Sequence, residues 1–220
     1  GSKITIEKKE GKLNVLKDHL KNNPVSGNLG IGHTRWATHG VPNDVNAHPH
    51  SDNGGEFAII HNGIIENHDE IRTQLKNEGY EINSQTDSEL IAHLIHLYKK
   101  EDDNTLTALI KATKKLKGAY SIAVIDSNQK DKVFAARQKS PLLIGKGIEE
   151  NFVASDPLAI INITQSFYLL EDGDFAEITK DDIKIFNHKN IPQKREKTLI
   201  EATATATTKG SYKHFREKEI

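Results

Sequence analysis

Apolar positions change their period along the chain. "KITIEK" (3–8) alternates isoleucine with polar residues, the two-residue period of a half-buried strand, and "LNVLKDHLKN" then repeats apolar residues at the spacing of an amphipathic helix. "FAII" (57–60) predicts a short buried strand. In "ENHDEIRTQLKNEGY", Asn67 and Glu70 have the spacing of a capping box and Gly79 marks a helix stop. Thr86 and Glu89 repeat that signature before "DSELIAHLIHLYKK", whose Leu90, Leu94 and Leu97 share one helix face. A third helix is expected over residues 105–116, ending near Gly118.

Beyond Gly118 the pattern becomes short and β-rich. "AYSIAVID", "KVFAARQ", "PLLIG", "NFVAS", "SFYLL", "DFAEIT" and "IKIF" are separated by turn residues such as "DSNQKD" and "EDGD", as in hairpins and meanders. Helices gathered in one stretch with strands on both sides predict an α+β fold rather than alternating βαβ units. The expected form is a four-layer αββα sandwich of two mainly antiparallel sheets. From Asn187 the alternation fades, and "IEATATATTKG" is small, polar and nearly of low complexity. Residues 3–186 are therefore expected to form the domain and 187–220 an extended linker. No internal repeat is visible.

Composition narrows the function classes. At 220 residues the chain can bury one good core, and 30 Lys+Arg against 31 Asp+Glu leave no general field to draw in nucleic acid or an anionic membrane. There is neither an apolar run of membrane-spanning length nor a secretory leader, so a cytoplasmic protein is expected. The absence of cysteine excludes disulfides, thiolate metal sites and a thiol nucleophile within these residues. Methionine is absent too, which predicts a chain that does not begin where its gene begins, with Gly1 and Ser2 as a cloning remnant.

Candidate chemistry concentrates between residues 30 and 90. In "GIGHTRWATHG" (30–40), Arg35 offers a rigid fork for a carboxylate, Thr38 a hydroxyl, and Gly40 a bend that lets backbone approach a ligand. That suits the α-carboxylate of an amino acid, although an isolated Arg-Trp pair is more often a solvated charge beside a core aromatic. Six of the 11 histidines lie here: His33, His39, His48, His50, His61 and His68. A metal pair at His48 and His50 lacks its usual companions, neither HExxH nor paired cysteines being present, so no metal is expected and the histidines are read as loop-binding groups in a polar cleft. "HNGIIEN" sets Asn62 and Gly63 at the end of a buried strand, where an amide and a backbone N–H can stabilise an oxyanion, though Asn-Gly alone is more often a turn. Asp87, at a helix start, can bind an ammonium group or complement the helix dipole.

Taken in order, "GHTRWATHG", "NAHPH", "HNGIIENHDEIR" and "TDSELIAH" resemble the glutaminase domain of the glutamine–fructose-6-phosphate aminotransferase family, class II glutamine amidotransferases of the N-terminal-nucleophile fold. The resemblance extends from about Lys3 to the last residue through "KGAYSIAVID", "AARQKSPLLIG", "NFVASD" and "YKHF", and an amidophosphoribosyltransferase would show an RYST-like stretch in place of "RWATHG". It implies that Arg35, Thr38 and Asp87 hold the α-carboxylate and α-ammonium of glutamine, that Asn62 and Gly63 form the oxyanion hole, and that Trp36 and His39 lie on a closing loop. It also implies a reaction opened by an N-terminal cysteine whose own α-amine is the general base, without cofactor. L-Glutamine and L-glutamate are the implied ligands, a sugar-phosphate isomerase domain the implied partner after Ile220, and a homodimer the implied parent assembly. This chain departs in having no cysteine, and in lacking an acidic stretch before Lys209 and Gly210. It is therefore expected to be inactive alone; a catalytically dead glutamine-binding module and an engineered structural fragment are the alternatives.

Overall fold

The computed structural model describes residues 3–35 and 40–201. Its helices are α1 (Leu13–Asn22), α2 (His68–Asn77), α3 (Ser88–Lys99) and α4 (Thr105–Thr113). Strands β1 (His50–Ser51), β2 (Phe57–Ile65), β3 (Gly118–Asp126), β4 (Gln129–Gln138), β8 (Phe175–Ile178), β9 (Ile183–Phe186) and β10 (Pro192–Gln193) make one sheet in the order β1-β2-β3-β4-β8-β9-β10. Strands β5 (Leu143–Lys146), β6 (Asn151–Ala154), β7 (Ser166–Leu169) and β11 (Lys197–Leu199) make a second in the order β11-β7-β5-β6. Every strand pairing in both sheets is antiparallel.

Two cores follow from the strand alternation. Phe57, Ile59, Ile122, Val124, Phe134 and Ala136 pack against Leu90, Ile91, Leu94 and Ile95 of α3 and Leu106 and Leu109 of α4. On the opposite side Ala135, Ala176 and Ile185 meet Leu142, Ile144 and Leu170. Consecutive residues of β4 thus serve different cores, as a period of two requires when both faces of a strand are covered. Among the described residues α3 and α4 cover one face of the large sheet and the small sheet packs on its other face, the two antiparallel sheets and helices of the expected α+β fold. Among the described residues the outer face of the small sheet carries a 3-10 turn, Pro157–Ala159, and the turns to Thr164; a Cβ on Gly145 would stand 2.6 Å from Ile160 Cδ1 and 2.9 Å from Thr164 Cγ2.

The helices and strands fall where the periodicity puts them, with four corrections. Residues 3–8 alternate like a strand but pair with no strand among the described residues, because alternation specifies a face and not a partner; Ile4 and Ile6 instead line a hollow with Leu16 and Leu20 of α1. Asn67 is the N-cap of α2, yet its side chain donates to Lys115 O and accepts from Lys117 N, tying the helix to the chain before β3. The second capping box is half formed: Thr86 Oγ1 accepts from Glu89 N at 3.3 Å, while the Glu89 carboxylate takes the N–H groups of Asn83 and Ser84. The segment after Phe186 was expected to be an extended linker, but β10 pairs with β9 and β11 with β7. Arg195 fastens it with a two-pronged bond to buried Asp174, 2.8 and 2.7 Å. Most of "IEATATATTKG" lies outside the described residues. Among the described residues no helix is long and apolar enough to cross a membrane.

Candidate functional site

A cavity of about 1050 Å³ opens beside β2 and β3, bounded by α1, the residue 32–35 loop, the entry of α3 and the small sheet. His33, Arg35, Asn62, Gly63 and Asp87 all line it.

Asn62 and Gly63 do not end a strand, as the sequence suggested; β2 continues through both to Ile65. Gly63 sits at φ +130°, opposite Tyr120, and a Cβ there would lie 2.0 Å from Ala119 O. Only glycine fits so close an approach. The positive φ falls at the cavity wall, in a strand that stays paired with β3 from Phe57 to Ile65.

Asp87 stands at the N-cap position of α3, 3 % exposed, and its side chain makes no capping bond to the helix. Its Oδ2 accepts Ile65 N–H at 2.8 Å, joining the start of α3 to the end of β2, and Oδ1 has the Ser88 hydroxyl at 3.4 Å. Other buried carboxylates are better satisfied. Asp126 has Lys99 at 2.7 Å and Asp174 has Arg195, while Asp52 takes the N–H groups of Gly54 and Phe57. Among the described residues no lysine or arginine pairs with Asp87, so a buried negative charge faces a cavity with acceptor capacity to spare.

Arg35 has the left-handed φ of +43°, which a residue with a side chain adopts at a cost of order 1–3 kcal/mol. Its N–H donates to Nδ1 of His33 at 2.8 Å, and its guanidinium donates to Gly40 O at 3.0 Å and Val41 O at 3.3 Å. That loop is strapped to the entry of α3: Asn46 donates to Val41 O and to Gln85 Oε1, and accepts Gln85 N–H. The strap brings Arg35 and Asp87, 52 residues apart in sequence, to one cavity. Trp36, Thr38 and His39 lie outside the described residues.

Three of the histidines fasten loops by hydrogen bonds, whereas both ring nitrogens of buried His48 have no hydrogen-bond partner among the described residues. His33 Nε2 is 2.7 Å from Asn62 Oδ1, His50 Nε2 is 3.1 Å from Thr86 Oγ1, and His61 Nδ1 is 2.9 Å from Ser88 Oγ. His33, His48 and His50 form a stack with ring centroids 4.3 and 4.9 Å apart. Burial, followed by the charges of Lys8 and Arg35, pushes His50 down to about 3, and burial beside His33 and His50 lowers His48 further still. The stack is therefore neutral near pH 7, and the positive charge facing the cavity there is that of Arg35. Among the described residues no group of three or more His, Asp or Glu is placed to hold a metal ion. Sequence reasoning had passed over His33 as a partner of Asn62 and over the Asn46–Gln85 strap; the density of histidines and asparagines around "NAHPH" was their only sign.

Comparison with known proteins places the chain in a family. A family profile described as "Glutamine amidotransferase domain" matches residues 33–162. A glutamine–fructose-6-phosphate aminotransferase [isomerizing] of Clostridium acetobutylicum is 44 % identical over 218 residues, 99 % of this chain and 36 % of the relative. That of Haemophilus influenzae is 48 % identical over 210 residues, 96 % of this chain and 34 % of the relative. This chain thus spans about a third of the length of the curated relatives it matches. Among solved structures, the glutamine phosphoribosylpyrophosphate amidotransferase of B. subtilis, complexed with ADP and GMP, matches with a TM-score of 0.60 at 26 % identity, covering 71 % of this chain and 34 % of that one. A structure described as the allosteric regulatory enzyme of purine biosynthesis matches with a TM-score of 0.56, also at 26 % identity, over 67 % of this chain and 32 % of that one. With a profile match over more than half its length, the chain belongs to the glutamine amidotransferase domain family.

Proposed function

We propose that these residues are the glutamine-hydrolysing part of an enzyme that makes glucosamine-6-phosphate from fructose-6-phosphate, and that the cavity is the glutamine site. The observation that carries this reading is the convergence of a cation (Arg35), a buried carboxylate without a cationic partner among the described residues (Asp87), and an amide beside a positive-φ glycine (Asn62 and Gly63) on one cavity. Those are complements for the α-carboxylate, the α-ammonium and the side-chain amide of one amino acid. Arg35 and Thr38 take the carboxylate, Asp87 the ammonium, and Trp36 and His39 close over the bound ligand. The near-half identity to aminotransferases of that name supports fructose-6-phosphate as the ammonia acceptor, on a sugar-phosphate isomerase domain following this one. The parent is a cytoplasmic homodimer, and the glutaminase step uses neither metal nor cofactor.

In the reaction a cysteine thiolate attacks the amide carbonyl and charge gathers on its oxygen. Asn62 Nδ2–H and Gly63 N–H donate to that oxygen; one such donor is worth about 2.7–4 kcal/mol in the transition state. Collapse of the adduct expels ammonia and leaves a glutamyl thioester, which water hydrolyses to glutamate. These 220 residues contain no cysteine, so the thiol comes from outside them and the chain by itself binds glutamine without turning it over. Turnover is measured for the chain alone and for the chain behind a cysteine-bearing opening segment. Hydrolysis only in the second supports the assignment; comparable hydrolysis by the chain alone overturns the mechanism. Binding by both without hydrolysis by either points to a glutamine-binding module.

A further inference from the structure

The bonds around His33 decide which end of the Asn62 amide faces the cavity. Arg35 N–H, 2.8 Å from His33 Nδ1, can only donate, so Nδ1 must accept and carries no proton. Burial holds the His33 ring below its ordinary pKa, and in the neutral ring the single proton then sits on Nε2. Nε2 lies 2.7 Å from the Asn62 side chain and must donate to it, so Asn62 answers with its oxygen. Its NH2 group is the end left for the cavity. An inverted amide would set N–H against N–H at 2.7 Å, and rescuing it by moving the ring proton would create the same conflict at Arg35.

From this chain of donors we infer that His33 is a positioning residue: its tautomer orients Asn62 as a donor and couples that donor to the backbone of the Arg35 loop. The inference rests on the reading of Asn62 as an oxyanion donor. It accounts for two features that the reading alone leaves unexplained. One is the left-handed backbone at Arg35, which turns the N–H back onto the imidazole two residues earlier. The other is the packing of His33 on His48 and of His48 on His50, which is itself bonded to Thr86 beside Asp87. The ring orienting the proposed oxyanion donor is thus braced from the loop leading to the proposed ammonium site.

Two substitutions separate the two bonds of the ring. Asparagine places its oxygen near the Nδ1 position, and glutamine places its amide NH2 near Nε2. In the enzyme with its cysteine-bearing segment, His33→Asn keeps the acceptor for Arg35 N–H and loses the donor to Asn62. Its kcat should fall about 10–100-fold, less than the roughly 10²–10³-fold for removing an oxyanion donor outright, with KM for glutamine within about twofold. His33→Gln keeps the donor and frees the Arg35 backbone, so kcat should stay within a few-fold while KM rises. Asn62→Ala is the reference. If it leaves kcat unchanged, the oxyanion reading is lost and this inference goes with it. If it removes activity while His33→Asn and His33→Gln lower kcat equally, or neither does, the inference alone is overturned. A measurement on the unmutated chain is independent of catalysis and of any folding defect in the variants: long-range 1H–15N correlation of 15N-histidine-labelled protein should show His33 with its proton on Nε2 at neutral pH. A proton on Nδ1 overturns the inference.

Discussion

Asp87→Asn should weaken ligand binding without weakening the fold, a combination that a structural role for this carboxylate does not allow. The substitution is isosteric. Its remaining oxygen can keep the 2.8 Å bond from Ile65 N–H, and the new NH2 faces Ser88 Oγ, 3.4 Å away, a hydroxyl that can turn to accept. What is lost is one negative charge, 3 % exposed and without a cation among the described residues. The stability of the ligand-free chain should therefore change by no more than about 1 kcal/mol, with a gain the more natural sign because an uncompensated buried charge has been removed. Binding is different. A hydrogen bond to a charged group contributes about 1.5–3 kcal/mol, so affinity for L-glutamine should drop roughly 10–150-fold. Calorimetric titration with L-glutamine, and with an analogue lacking the α-amine, isolates the effect: Asp87→Asn should penalise the first and leave the second nearly unchanged. Equal losses for both ligands, or a lowered Tm with unchanged affinity, would refute the assignment of Asp87 to the ammonium group.

Arg35→Ala should cost about 1.5–3 kcal/mol in glutamine or glutamate binding by calorimetry. Gly63→Ala should cost several kcal/mol in chemical denaturation, because its Cβ would stand 2.0 Å from Ala119 O at a φ of +130°, and backbone on both sides must move. Lys99→Met strands Asp126, whose side chain is fully buried, and should cost roughly 3–5 kcal/mol, while Lys99→Met with Asp126→Asn recovers much of it. Burial would raise the pKa of Glu89, but its hydrogen bonds with His93, Ser84 and Asn83 outweigh it and hold the group near 2, against 4.5 unperturbed. That stability, about 3 kcal/mol, is fully present above pH 4.5 and lost as pH falls from there through about 2; urea midpoints between pH 7 and 3 should fall less steeply in Glu89→Gln.

The sequence by itself determined the local elements and the chemistry on offer. The three-to-four-residue spacing in Leu90, Leu94 and Leu97 and the alternation after Gly118 are set by backbone geometry, so α3 and the run of strands from β3 to β9 were legible without a neighbour in view. The sequence also offered the arginine, the asparagine–glycine pair and the aspartate as candidates, and the fold brings them to one cavity. Tertiary structure decided whatever needs a partner. Residues 3–8 have a strand's pattern and pair with no strand among the described residues, whereas the weakly patterned residues after Asn187 found edges at β9 and β7; period alone carries no information about vacancy in a sheet. Thr86 and Glu89 showed a capping box, but the carboxylate takes two N–H groups of the preceding loop, and Thr86 N–H donates to Ser84 Oγ instead. Only the folded chain could leave Asp87, among the described residues, with a single backbone N–H and a distant hydroxyl, or bring His33 to Asn62 across 29 residues, because the state of a donor or acceptor depends on every group that competes for it in three dimensions.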